Sequence, residues 1–130
     1  MKTRGCKLKS ERAVLVVDDE PLIRMDLSSL LEDHGFKVFE AGTASQAIAV
    51  LEANAQIRVV FTDITMPGTM DGLALSRYIR DRWPPTIVVV VSGNALPKED
   101  AMATDAMFMA KPVDTSVLDD TIRNIVAQLA

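Results

Sequence analysis

Asp18-Asp19, Asp63, Ser92 and Lys111-Pro112 are the residues of this chain whose types and placement could do chemistry together. Each stands just past a short apolar run that reads as a buried strand: Ala13–Val17, Ile57–Thr62, Ile87–Val91 and Ala106–Ala110. Apolar strands that alternate with helical patterns imply a parallel sheet. The carboxyl ends of its strands line one edge, where ligands bind. Three carboxylates, a hydroxyl and an ammonium should therefore converge in one pocket. Carboxylates about 4 Å apart repel by ~4 kcal/mol per pair at an effective dielectric near 20, so the cluster needs a cation. An oxygen-only site with few carboxylates and room for water suits Mg2+. The whole set suits magnesium-dependent transfer of a phosphoryl group onto an aspartate.

Each piece also has a plainer reading. Asp18-Asp19 alone reads equally well as the cap of a first helix. Ser92-Gly93 alone is a turn, and a lone Lys beside Pro is most often a solvated loop residue. The strand-end placement of all of them together favours the metal and phosphoryl reading. At the end of strand five, Lys111 can reach the pocket as a point charge for phosphoryl oxygens.

The elements that must position these groups follow from periodicity. A helix is expected from about Glu20 to Asp33, with Pro21 in its first turn. Ile23, Leu27, Leu30 and Leu31 form its buried stripe, and Gly35 ends it in a left-handed cap. Residues 36–41 alternate like a half-exposed strand. Thr43 and Gln46 make a capping-box signature for a second helix striped by Ala44, Ala47, Ile48 and Leu51. Asp71 is the expected N-cap of a third helix, with Leu75, Tyr78 and Ile79 facing inward. The unalternating run Ile87–Val91 suits a central parallel strand covered on both faces. A short fourth helix is expected near Pro97–Thr104. A last helix should start after Asp114, with Leu118, Ile122, Ile125, Val126 and Leu129 on one face.

Four segments carry a family resemblance: Val-Asp-Asp-Glu-Pro at 17–21, Thr-Asp-Ile-Thr-Met-Pro-Gly-Thr-Met-Asp-Gly at 62–72, Ser-Gly at 92–93 and Lys-Pro at 111–112. Their order and placement resemble the receiver domain of two-component response regulators. The resemblance implies an α/β, (βα)5 flavodoxin-like fold: a five-stranded parallel sheet of order 2-1-3-4-5 with helices on both faces. It also implies roles. Asp63 would be the phosphoacceptor for a phosphohistidine. Asp19 would bind Mg2+ directly, Asp18 through water, and Thr65 by its backbone carbonyl, with Asp63 completing the metal set. Ser92 and Lys111 would hold phosphoryl oxygens. Ser92 and Phe108 would form the switch, and Lys111–Pro112 would be cis. Two departures stand out: Thr69 lengthens the 62–72 loop by one residue, and the span from Ser92 to Lys111 is shorter than usual.

The bounds agree. At 130 residues, 48% hydrophobic and 25% charged, the chain suits one soluble domain. A net charge of -4 argues against a nucleic-acid binder that relies on basicity. Five basic residues against Glu11 alone give residues 1–12 a net +4, leaving -8 for the rest. A single cysteine, Cys6, permits no internal disulfide and suits a reducing compartment. His34, the only histidine, reads as a helix-end residue. Met102, Met107 and Met109 read as core filler before partner surface.

Residues 1–11 are expected to be a basic flexible tail and 12–130 the receiver domain. The expected protein is a cytoplasmic, stand-alone switch, a monomer or weak dimer without membrane or direct DNA contact. It would take its phosphoryl group from a histidine kinase or phosphotransfer protein and act on an unknown output protein. It would catalyse no more than its own phosphorylation and dephosphorylation. Rival readings are a receiver excised from a hybrid kinase or multidomain regulator, a flavodoxin-like cofactor binder, and an aspartyl phosphatase. Asp18-Asp19-Glu20 would repel a cofactor phosphate after strand one. Asp63-Ile64-Thr65 lacks the second acid that such phosphatases carry two residues on.

Overall fold

The computed structural model describes residues 12–64, 70–93 and 106–129. Their elements are β1 (Ala13–Val17), α1 (Pro21–Asp33), β2 (Lys37–Ala41), α2 (Ala44–Ala53), β3 (Ile57–Asp63), α3 (Gly72–Arg82), β4 (Ile87–Ser92), β5 (Met107–Ala110) and α4 (Thr115–Leu129). The five strands form one parallel sheet in the order β2-β1-β3-β4-β5, the order that the resemblance implies. The expected short helix near Pro97–Thr104 and the tail at 1–11 lie outside the described residues.

Alternate residues of each strand point to opposite faces, and the core divides accordingly. Leu15, Val17, Val60, Val88 and Val90 pack with Leu51 of α2 and Leu75 and Ile79 of α3. Val14, Val16, Phe61, Val89 and Val91 pack with Leu27 and Leu31 of α1 and Leu118, Ile122 and Ile125 of α4. All residues of β1 and β4 are buried, which is why these strands carry no polar alternation. Each fully buried Leu or Ile contributes roughly 2 kcal/mol by leaving water.

The helix ends follow local chemistry. Thr43 Oγ1 accepts the Gln46 amide at 3.1 Å, and Gln46 Oε1 accepts the Gly42 amide at 2.8 Å. The box thus closes one residue earlier than the usual reciprocal pair. Asp71 Oδ1 caps α3 through the Ala74 amide at 2.9 Å. Asp114 Oδ1 accepts the Ser116 amide at 2.8 Å at the start of α4. Gly35 takes φ +91° after α1, the left-handed conformation that glycine adopts without penalty.

Boundaries shift by a residue in places. β3 extends to Asp63 and β4 to Ser92, because Asp63 pairs with Val91 and Ser92 with Ala110. Tyr78 differs from its expected inward place. It is half-buried and packs its ring against Trp83, with centroids 6.2 Å apart.

Candidate functional site

Sheet register assembles the site before any side chain is considered. Val17 pairs with Thr62, so Asp18 leaves β1 beside Asp63 at the end of β3. Ser92 pairs with Ala110, which puts Lys111 one residue past β5 at the same edge. The Lys111 amide donates to the Ser92 carbonyl at 2.8 Å. The Lys111–Pro112 peptide is cis.

The side chains then meet. Lys111 Nζ lies 3.2 Å from Asp18 Oδ2 and 3.2 Å from Asp63 Oδ1. Exposure falls to 18% for the Lys111 side chain, 6% for Asp18 and 12% for Asp63. Asp18 Oδ1 accepts the Glu20 amide at 2.9 Å. Asp19 is exposed. Even so, Asp18, Asp19 and Asp63 each present a carboxylate oxygen, and the three oxygens lie within 4.8 Å of one another. A cavity of about 480 Å3 runs from these groups between α1 and the segment after β5, with Ile23, Leu27 and Val113 in its walls.

Burial pushes the Asp63 carboxyl above its ordinary value of 3.8. The attraction and hydrogen bond of Lys111 oppose that rise, and the Asp18 charge adds to it. Lys111 moves up from 10.5: burial works against its charge, but the hydrogen bond and attraction of Asp18, then of Asp63, outweigh it. The ammonium therefore stays charged and bridges two acids, and among the described residues no cation pairs with the third, Asp19. That donor set fits a hard dication: three carboxylate oxygens, no nitrogen or sulfur ligand, and one acid open to water.

The other expected residues fall as follows. Ser92 is buried at the end of β4. Phe108 pairs with Val90 and is half-buried against the core on the α2–α3 face. Thr65 lies outside the described residues. His34 is a cap: Nδ1 meets the Leu30 carbonyl at 2.9 Å and Nε2 meets Asp119 Oδ1 at 2.7 Å.

Two contributors were not singled out by sequence. A Cβ on Gly72 would sit 1.9 Å from the Asp63 carbonyl oxygen, so the start of α3 can press on the end of β3 at glycine alone. The Gly72 amide donates to the Ile64 carbonyl at 2.8 Å. Its only signal was the Asp-Gly that closes the 62–72 loop. Arg24 donates to the Asp18 carbonyl at 2.8 Å. Its signal was being the one basic residue of α1.

A family model for the response regulator receiver domain matches residues 14–123. The chain belongs to this family. The receiver domain is 32% identical over 129 residues to the sensor kinase CckA of Brucella abortus, a match covering 94% of this chain and 13% of that protein. A CheY-like receiver structure from Methanospirillum hungatei superimposes with TM-score 0.81 at 25% identity, covering 91% of this chain and 95% of that one. A response regulator receiver protein from Sinorhizobium medicae gives TM-score 0.81 at 28% identity over 90% and 95%. The chain spans less than a quarter of the length of the first curated relatives it matches. It is thus a receiver domain of two-component signalling. Among the described residues, no helix is long and apolar enough to cross a membrane.

Proposed function

We propose that this receiver domain works as a phosphorylation switch, taking a phosphoryl group onto Asp63 from the phosphohistidine of a kinase or phosphotransfer protein. The supporting observation is Lys111 Nζ set 3.2 Å from both Asp18 and Asp63, with a third acid, Asp19, close by. An Asp63 carboxylate oxygen attacks phosphorus. The P–N bond breaks, and its electron pair leaves with the imidazole, which takes up a proton. Lys111 keeps Asp63 ionised in spite of burial and then pairs with a phosphoryl oxygen. The Ser92 hydroxyl binds another. Asp18, Asp19, Asp63 and the Thr65 carbonyl would hold Mg2+, which when bound offsets the charge that gathers on the phosphoryl oxygens. The product brings up to about two negative charges. Ser92 and Phe108 carry that change outward to an output protein in the cytoplasm. Residues 12–130 act as the domain and 1–11 as its tail.

Incubation with a small phosphodonor and Mg2+, followed by intact mass, tests this reading. One added phosphoryl group is expected, lost in Asp63→Asn or with a chelator. Undiminished labelling of Asp63→Asn would refute the assignment.

The short share of its relatives that the chain spans supports a second reading, a receiver module within a longer kinase or regulator. Phosphotransfer onward to a histidine-bearing protein, faster than release to water, would favour that relay role over a stand-alone switch.

A further inference from the structure

Arg24 makes a two-sided contact that the chemistry above does not use. Its side chain is 22% exposed. Nε donates to Glu40 Oε1 at 2.8 Å, and Nη1 donates to the backbone carbonyl of Asp18 at 2.8 Å. Glu40 lies on β2 opposite Val16 of β1. The Asp18 amide donates to the Ala41 carbonyl at 3.1 Å. The Asp18 backbone is therefore gripped on both sides, by β2 directly and by β2 through Arg24.

The grip matters more for Asp19 than for Asp18. Both Asp18 carboxylate oxygens have their own partners, the Glu20 amide and Lys111. Among the described residues, the Asp19 carboxylate has no hydrogen bond, so its backbone is the described feature that places it. The carbonyl that Arg24 holds belongs to the peptide group that leads into Asp19.

We infer that Arg24 is a positioning residue of the site: anchored by Glu40, it fixes the Asp18–Asp19 peptide and so aims the Asp19 carboxylate at the divalent cation. This rests on the proposed reading of Asp18, Asp19 and Asp63 as cation ligands. A charge role would have the opposite sign. A guanidinium beside a cation site repels the ion, so its removal on that account tightens binding. A positioning role means that its removal weakens binding.

The test is calorimetric Mg2+ titration of the whole chain as wild type, Arg24→Ala and Arg24→Gln. Affinity should fall roughly tenfold in both variants, the low end of what loss of an outer-shell partner costs a metal site. Glu40→Gln keeps an acceptor oxygen for Nε and should lose less. Thermal unfolding without metal separates aim from fold. A lower melting temperature with unchanged or tighter Mg2+ affinity overturns the inference. If Arg24→Ala does not fold, Arg24→Lys keeps the charge and loses the fork, and wild-type affinity in it overturns the inference too. If wild type binds no Mg2+, the proposed function fails and takes this inference with it. If wild type binds Mg2+ and the variants match it, only the inference fails.

Discussion

The Lys111 ammonium lies 3.2 Å from Asp63 Oδ1, at the end of a strand that does not pair with the strand of Asp63. β4 separates β3 from β5, so the side chain reaches across one strand end. It meets Asp18 Oδ2 at the same distance. Lys111→Met would leave two recessed acids facing each other. The metal-free variant should lose roughly 2 kcal/mol, discounted from the fully buried case because these side chains keep some solvent contact. Mg2+ should restore part of that loss. Chemical denaturation with chelator and then with Mg2+ checks it, and equal stability of both proteins in chelator would count against the bridge. Phosphorylation by a small donor should slow about a hundredfold, as expected for loss of a preorganised charge.

The raised Asp63 pKa gives a pH signature. An acid whose folded pKa lies above its unfolded value adds stability in its protonated form. That contribution is full below the ordinary 3.8 and is lost as pH rises through the raised value. Metal-free wild type should therefore match Asp63→Asn at acidic pH and become the less stable of the two as pH rises through that window. Melting curves across pH in chelator test this. A difference that does not vary with pH, or a less stable Asn variant at neutral pH, contradicts it.

Gly72→Ala should be among the harshest single-methyl changes in this chain. The added Cβ meets the Asp63 carbonyl oxygen at 1.9 Å and the Ile64 Cα at 2.9 Å, both backbone atoms. Something must shift, at about 3 kcal/mol or more. The shift falls on the Asp63 carbonyl and on Ile64 after it, so Mg2+ affinity should drop along with stability. Wild-type unfolding of the variant would show that α3 does not press on β3 as described.

His34 should act as a proton-dependent clasp between α1 and α4. The Leu30 carbonyl and the Asp119 carboxylate are both acceptors, so meeting both requires protons on both ring nitrogens. The Leu30 hydrogen bond is the main reason its pKa rises above 6.5; burial opposes the rise, and Asp119 and then the Asp33 charge add to it. A raised histidine pKa gives stability that is present at low pH and lost as pH rises through it. His34→Gln should cost less than about 1 kcal/mol below that pKa, because the pair is exposed, and still less well above it. Proton NMR of the ring gives the pKa directly, and a value at or under 6.5 would remove the clasp.

Much of this was legible in one dimension. Carboxylates after Val17 and Thr62 and a lysine after Ala110 marked strand ends, because the buried middle of a parallel strand takes no charge. The caps at Thr43 and Asp71 could be read because capping is local: Thr43 lies three residues before Gln46 and Asp71 three before Ala74. Strand order was not legible from periodicity, which says that a strand is buried but not beside which neighbour. It came from the motif resemblance.

By itself the sequence determined which side chains could meet at the sheet edge, since alternation of apolar strand and helix fixes that edge. Only the tertiary structure decided how they meet. Lys111 bridges Asp18 across 93 residues of sequence because β4 pairs with β5 in one register. Arg24 reaches Glu40 and the Asp18 carbonyl because β2 lies next to β1. Gly72 is required because α3 lands on the end of β3. Tyr78 turned to Trp83, although its helical spacing pointed it at the core. The first three depend on distances between separate elements, and such distances are set by packing, which no local pattern encodes.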